Sequence, residues 1–163
     1  MLTNRRVVTG HNAEGKSNVL FDSTIDTLPM AYAPVSLIWA TDGLLADNET
    51  TEETCSTPPS VEFFNEHRAK FFLMEMKSGD VYDWHQTNTI DFGVVISGTL
   101  VLTLEDGEVV LGPGDLMVDR GGRHKWGVVG DEPAVLAAVI LPAAPIPGVS
   151  EVQDTPEVGS TTR

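Results

Sequence analysis

The side chains best suited to chemistry in this sequence are two histidines and an aspartate: His85, Asp91 and His124. Two imidazoles and one carboxylate that converge from separate backbone positions can hold a divalent metal and leave coordination positions open. The same groups can also polarise a carbonyl or move a proton. The sequence therefore predicts a site in which these three residues are both metal ligands and catalytic groups.

Each of these residues also has a structural interpretation. His85 can be an interior histidine whose hydrogen bonds are satisfied, and His124 can be a surface residue of a turn. Asp91 can cap a turn or accept hydrogen bonds from backbone N–H groups. The remaining histidines, His11 and His67, lie in polar surroundings, and we expect both to be solvated.

Four further side chains are predicted to contact a substrate: Thr87, Thr89, Arg120 and Trp126. Thr87 projects to the same side of an extended chain as His85, although both threonines can instead be interior strand residues. The ring of Trp126, two residues after His124, can stack on an organic ligand or pack in the core. Arg120 either binds a carboxylate or phosphate of a ligand or forms an ion pair with an acidic residue.

The backbone around these residues carries two further predictions. Strand parity puts a set of aromatic residues on the side opposite His85, namely Tyr82, Trp84 and Phe92. Several glycines are expected at positions that need a positive φ or a close backbone approach, namely Gly79, Gly98, Gly114 and Gly121.

The elements that must position these residues are predicted to be β-strands. Short apolar runs recur about every ten residues and are separated by turn residues, a pattern typical of an all-β sandwich or barrel. Among these runs are VSLIW (35–39), FFLMEM (71–76), GVVIS (93–97), LVLTL (100–104) and AVLAAVIL (134–141). Asp106-Gly107 predicts a tight hairpin. Residues 61–70 are either a helix or an extended lead-in to FFLMEM.

Length and composition narrow the classes of function. With 163 residues the chain fits one domain, and its 41% hydrophobic residues suffice for a core. A formal net charge of −14 argues against nucleic acid or anionic membrane partners. One cysteine, Cys55, rules out an intrachain disulfide framework. No apolar run is long enough for a membrane span and no secretory signal is visible, so we expect a soluble cytoplasmic protein.

Two glycine-punctuated motifs hold the candidate residues. The first is Gly79-x5-His85-x-Thr87-x3-Asp91-x6-Gly98, and the second is Gly114-x4-Asp119-x-Gly121-x2-His124-x3-Val128. In order and spacing they resemble the two motifs of the cupin superfamily. More narrowly, HQTNTIDF and PGDLMVDRGGRHKW are similar to a group of small single-domain cupins of largely unassigned function. The resemblance covers roughly residues 5–141.

This resemblance implies an all-β, double-stranded β-helix (jelly-roll) barrel with a small-molecule site at its mouth. It divides the chain into N-terminal strands and an acidic loop (1–60), the cupin barrel (61–142) and a flexible tail (143–163). It implies an enzyme with a divalent metal such as Fe, Zn, Mn or Ni, and with lyase, decarboxylase, dehydratase or dioxygenase chemistry. It also implies a homodimer.

The first motif departs from the family pattern at two positions, which leaves alternatives open. Thr87 stands where metal-binding cupins have a second histidine, and a neutral hydroxyl is a poor ligand. Asp91 stands in place of the usual glutamate and has a shorter reach. The chain is therefore either a metal-dependent enzyme or a metal-free barrel that binds or senses a small molecule.

Overall fold

The computed structural model describes residues 4–28, 34–41, 43–49, 51–54 and 66–147. Within these ranges the chain forms eleven β-strands and no helix. The strands are β1 (Asn4–His11), β2 (Ser17–Ile25), β3 (Val35–Ala40), β4 (Lys70–Met76), β5 (Val81–His85), β6 (Thr89–Ser97), β7 (Leu100–Leu104), β8 (Gly107–Leu111), β9 (Leu116–Asp119), β10 (His124–Val128) and β11 (Ala134–Pro142). The all-β prediction is therefore confirmed.

Two antiparallel sheets form the barrel, and a third, two-stranded sheet lies outside it. The larger barrel sheet has the order β3-β4-β11-β6-β9, and the smaller has the order β5-β10-β7-β8. Their inner faces share one hydrophobic core, which includes Phe72 and Leu136 from the larger sheet and Leu102 and Trp126 from the smaller. The chain crosses repeatedly between the two sheets, as expected for a double-stranded β-helix.

The alternation of side chains along β4 shows how the sequence defines the inside of the barrel. Lys70, Phe72, Met74 and Met76 are buried, whereas the residues between them are more exposed. This period of two is the one expected for a strand with one face on the core. Lys70, the first residue of β4, belongs to this inward-facing series. A charged side chain therefore lies inside the barrel wall.

The turns confirm most of the backbone predictions. The glycines of both motifs have positive φ angles of 82°, 70°, 88° and 74°, for Gly79, Gly98, Gly114 and Gly121 respectively. The predicted hairpin joins β7 to β8. Its two central residues are Glu105 and Asp106, one position earlier than predicted, because Leu104 pairs with Gly107.

Strands β1 and β2 form the separate two-stranded sheet. The Arg6 guanidinium, which is buried, donates a hydrogen bond to the Ile38 carbonyl (3.1 Å) and pairs with the Glu53 carboxylate. The Phe21 ring lies 6.3 Å from that of Trp39, between centroids. These contacts hold the N-terminal hairpin against β3.

Two sequence-based predictions concern parts of the chain beyond these strands. Residues 61–65, in which a helix was one alternative, and residues 148–163 of the tail lie outside the described ranges, whereas Lys70 belongs to β4. The boundaries at residues 60/61 and 142/143 stay predictions. In the described part of the chain, no helix is long and apolar enough to cross a membrane.

Candidate active site

A row of paired residues crosses the larger sheet at one end of the barrel. Successive Cα partners along this row are Ala40, Lys70, Ile140, Asp91 and Asp119, on β3, β4, β11, β6 and β9. A corresponding row in the smaller sheet joins His85 on β5, His124 on β10 and Leu104 on β7. The strand pairing therefore gathers the titratable residues at one end of the barrel.

The two motif histidines are in direct contact. Their ring centroids are 4.2 Å apart and their planes are inclined by 61°. The Nδ1 atom of His85 lies 2.8 Å from the Asp83 carbonyl oxygen, and that of His124 lies 2.8 Å from the Gly122 carbonyl oxygen. Because a carbonyl oxygen only accepts, each Nδ1 carries a proton and each Nε2 is left for other partners.

Asp119 distinguishes His124 from His85. Its Oδ2 atom lies 2.8 Å from Nδ1 of His124, and the two side chains are only 9% and 4% exposed. Its other carboxylate oxygen accepts a hydrogen bond from the Gly122 backbone N–H (3.1 Å). The carboxylate is therefore fixed by the turn that it shares with His124, and it faces the imidazole in a nearly dry environment.

The two histidines have pKa values shifted in opposite directions. Burial lowers the pKa of His85 to about 4, and the neighbouring His124 adds to that shift. Burial also acts to lower the pKa of His124, but the hydrogen bond and charge of Asp119 outweigh it, so the net pKa is raised above 6.5. Burial therefore favours the neutral form of His85, whereas Asp119 favours the protonated form of His124.

Asp91 is the third residue predicted for this site. Burial raises the pKa of its carboxyl to about 6, and a hydrogen bond from Thr89 opposes the shift. Thr89 is buried, and its hydroxyl is 2.7 Å from that of Thr87. Within the described residues the Oδ1 atom of Asp91 is buried without a hydrogen-bond partner. Asp91 thus presents an unused oxygen at the inner wall of the barrel.

Gly121 explains how the two motifs come together. Its φ is +74°, and a Cβ atom placed on it would lie 2.9 Å from the Thr87 carbonyl oxygen and 3.3 Å from that of Thr89. Only glycine allows the β9–β10 turn to approach the β5–β6 loop this closely. The close approach brings the turn that holds His124 against the segment that follows His85.

The parity prediction is wrong for Tyr82. Its ring lies against that of His85, with centroids 4.1 Å apart, although the two residues are three apart in sequence. The pairing of β5 with β10 shifts register between His124 and Trp126, so that His124 faces His85 while Trp126 faces Tyr82. Such an irregularity breaks the strict alternation of side chains along a strand. Tyr82 therefore packs beside the histidine pair.

The predicted substrate-contacting residues lie in different surroundings. Trp126 is buried in the core, with its ring centroid 6.1 Å from that of His124. Thr87 and Thr89 line the wall beside Asp91, whereas Arg120 is exposed. Trp84 lies under the cationic groups of Arg123 and Lys125, at 5.2 Å and 5.4 Å from its ring centroid. The four predicted contacts with a substrate stay predictions.

The fit of a metal ion can be judged from the donor groups present. Within the described ranges no group of three or more His, Cys, Asp or Glu residues is arranged to hold a metal ion. Both Nδ1 atoms are engaged, which leaves the Nε2 atoms of the two rings as the nitrogen donors for a cation. No chemical step below passes through a metal. The ligand set His85, Asp91 and His124 stays a prediction.

Two residues of the site were not among those predicted from the sequence. Asp119 precedes His124 by five residues, and Lys70 is separated from both motifs. A signal for Asp119 was present, because an aspartate followed by Arg-Gly-Gly can turn the chain back upon its own carboxylate. Nothing local marks Lys70, since only strand pairing puts it in one row with Asp91.

Taken together, the fold and the site define a small double-stranded β-helix barrel with a histidine pair at one end. The sequence model of the cupin domain matches residues 72–140. A solved structure of an uncharacterized conserved protein with a double-stranded β-helix domain, from Klebsiella pneumoniae subsp. pneumoniae, aligns with a TM-score of 0.50 at 16% identity, covering 72% of this chain and 84% of that one. This likeness concerns the fold alone.

Two fungal relatives extend the comparison. The cupin-domain-containing oxidoreductase fogC of Aspergillus ruber is 31% identical over 74% of this chain, which spans 62% of that relative's length. Phomopsin biosynthesis cluster protein D of Diaporthe leptostromiformis is 33% identical over 76% of this chain and 70% of its own. The chain belongs to the cupin superfamily.

Proposed function

We propose that this protein is a small-molecule enzyme whose His85 and His124 act as a general base and a general acid. The contact between two imidazoles with oppositely shifted pKa values is the observation that carries the proposal. General acid–base catalysis needs one group that accepts a proton and one that donates at the same pH. The directions of the two pKa shifts fit this requirement, since burial favours neutral His85 and Asp119 favours protonated His124.

The proposed step follows from the protonation of each ring. His85 keeps its proton on Nδ1 through the Asp83 carbonyl, so its Nε2 lone pair takes a proton from an acidic C–H bond of the substrate. His124 donates its Nε2 proton to a carbonyl oxygen or to a leaving hydroxyl group. In a dehydration the products are an alkene and water, and the proton on His85 returns to solvent while His124 is reprotonated. Lyase, dehydratase and isomerase reactions on carbonyl compounds share this step.

The relatives support a small organic substrate. One is named for a biosynthesis cluster and another as a cupin-domain-containing oxidoreductase. Oxidoreductase chemistry is therefore an alternative class for this chain, and it predicts consumption of an electron acceptor. Proton transfer predicts exchange of substrate hydrogen with solvent, so the two classes give different measurable products.

Solvent exchange tests the proposal with a panel of compounds, so the natural substrate need not be identified first. The wild-type protein is incubated in D2O with carbonyl and hydroxy-acid compounds, and deuterium incorporation is followed by mass spectrometry. We expect incorporation into at least one compound, with a rate that falls at least about 100-fold in both His85→Gln and His124→Gln, because each group contributes at least this factor.

His11→Gln is the matched control, since His11 is exposed on the N-terminal hairpin. It should exchange deuterium at the wild-type rate. Exchange that survives in both site variants would contradict the catalytic roles of the pair. Oxygen consumption with a panel compound and no deuterium incorporation would instead support the oxidoreductase class. Binding of a compound without any chemical change would support a binding or sensing barrel.

A metal-dependent site of His85, Asp91 and His124 is the second candidate. The buried Oδ1 atom of Asp91 favours it, because a carboxylate oxygen without a hydrogen-bond partner in the described residues is free to meet a cation. Iron, zinc, manganese and nickel all accept such ligands. Elemental analysis of protein purified without chelators or a His tag tests this candidate. Stoichiometric metal that is lost in Asp91→Ala supports it, and metal below about one-tenth of the protein contradicts it.

We also propose that the protein is a cytoplasmic homodimer. β9 is an edge strand of the larger sheet, and the apolar side chains Phe92, Ile96, Leu116 and Val118 on β6 and β9 are exposed. Burying this surface against a second copy would cover both the edge and the apolar patch. Size-exclusion chromatography with light scattering measures the mass, and a monomer mass of 17.6 kDa would contradict the dimer.

A further inference from the structure

The two histidines of the site are held by the same backbone device. In each case Nδ1 lies 2.8 Å from the carbonyl oxygen of the residue two positions earlier, Asp83 for His85 and Gly122 for His124. The two residues are also Cα partners on neighbouring strands, β5 and β10. Backbone geometry alone would therefore make the two imidazoles equivalent.

The side chain of Asp119 breaks this equivalence. Its Oδ2 atom is 2.8 Å from Nδ1 of His124, and the contact lies in a region from which water is nearly excluded. The neighbouring Gly121 and Gly122 N–H groups donate hydrogen bonds to the same carboxylate, which therefore cannot swing away to solvent. At Nδ1 of His85 the described partner is a neutral group, the Asp83 carbonyl.

We infer that Asp119 is the positioning residue of the pair, which binds the Nδ1–H of His124 and so fixes the tautomer and orientation of that ring. Asp119 acts through His124 and touches no reacting atom. A carboxylate behind an imidazole has this effect in many enzymes. The inference rests on the proposed acid–base function for its consequence, but the contact itself can be measured without any substrate.

The wild-type protein provides the first test. Nuclear magnetic resonance of protein labelled with ¹⁵N-histidine at neutral pH resolves the Nδ1–H protons of both residues. A hydrogen bond to a carboxylate is shorter and stronger than one to a neutral carbonyl. We expect the Nδ1 proton of His124 to resonate further downfield than that of His85. Equal shifts, or a His124 Nδ1 without a proton, would overturn the inference.

Asp119→Asn provides the second test, and Asp115→Asn is its matched control. Asp115 also caps a glycine turn, with the Gly112 N–H donating to Oδ2 at 2.8 Å. In Asp119→Asn the Nδ1 proton of His124 should move upfield to the position of the His85 proton, because each ring then donates only to neutral carbonyl groups. Asp115→Asn should leave both rings unchanged. His124 shifts in Asp119→Asn that equal those of the wild type would overturn the inference.

The deuterium exchange assay separates this inference from the proposed function. If Asp119→Asn changes the His124 resonances but no panel compound is exchanged by the wild type, Asp119 still positions His124 and the proposed reaction is wrong. If exchange occurs and the His124 resonances do not respond to Asp119→Asn, the acid–base pair operates without this positioning residue.

Discussion

The Nδ1 atom of His124 lies 2.8 Å from the Oδ2 atom of Asp119, across the junction between the two sheets of the barrel. Asp119 ends β9 in the larger sheet, and His124 begins β10 in the smaller. Both the local fold at this junction and the charge state of His124 therefore depend on this contact.

The pH dependence of exchange should show the two histidines separately. His85 must be neutral to accept a proton, so kcat/KM should rise as the pH increases through about 4. His124 must be protonated to donate, so the rate should fall only above pH 6.5, where its raised pKa lies. A profile measured from about pH 3 to 10 should therefore have a broad plateau. A maximum confined to a single narrow pH near 6.5 would contradict the assignment.

Gly121→Ala should destabilise the protein more than Gly79→Ala. Both glycines have positive φ, a conformation that costs an alanine about 1 kcal/mol. Gly79 has open space around it, whereas a Cβ on Gly121 would lie 2.9 Å from the Thr87 carbonyl oxygen. We expect an additional loss of about 2 kcal/mol from this overlap. Urea unfolding measures both variants, and equal losses would contradict the close approach of the two loops.

Lys70 should make stability depend on pH in the alkaline range. Its side chain is 1% exposed, and burial lowers its pKa from 10.5 to about 8. Between these values the folded state loses the proton first, so the unfolded state binds more protons and stability rises with pH. Relative to Lys70→Met, the wild type should gain about 3 kcal/mol between about pH 7 and 10.5, because each pH unit of displacement is worth about 1.4 kcal/mol.

Lys70→Met is the reference in this comparison because it keeps the length of the side chain and removes its charge. Its hydrogen bonds to the Glu66 and Arg68 carbonyls (2.7 Å and 3.1 Å) are lost at every pH and add only a constant offset. A difference between the two proteins that stays constant across this alkaline range would show that Lys70 titrates normally. Unfolding by urea at a series of pH values supplies the data.

Two neighbouring arginines should differ in their contribution to stability. Arg6 is 8% exposed and pairs with Glu53, so Arg6→Ala leaves a partly buried carboxylate without this partner and should cost about 2 kcal/mol. Arg5 pairs with Asp22 at 2.8 Å, but both are well exposed, so Arg5→Ala should leave the unfolding midpoint nearly unchanged. Similar losses for the two variants would contradict the role of Arg6 in holding the N-terminal hairpin.

The sequence was informative where local pattern determines structure. Alternating and continuous apolar runs predicted β3, β4, β6, β7 and β11, and the glycines of the motifs predicted the positions with positive φ. The two motifs also predicted that His85 and His124 would share a site, and the structure brings them into contact. Each of these predictions depends on neighbouring residues or on a known motif.

The sequence was less informative where pairing between distant strands determines which side chains come into contact. Tyr82 reaches His85 through a register shift that strict alternation does not contain. Lys70 and Asp91 share a row only because β11 lies between β4 and β6. The contact between Asp119 and His124 depends on the turn between β9 and β10. The sequence identified a glycine of this turn but not its backbone conformation. In physical terms, the interactions that tune the site are set by sheet register.

An NMR titration of the wild-type protein tests the central claim most directly. The imidazole resonances of His85 and His124 are followed from acid to alkaline pH in a single protein, without substrate. We predict that His85 stays neutral down to about pH 4 and that the pKa of His124 lies above 6.5. Two histidines that titrate together near 6.5 would contradict the assignment, because neither would then be reserved as the base or the acid.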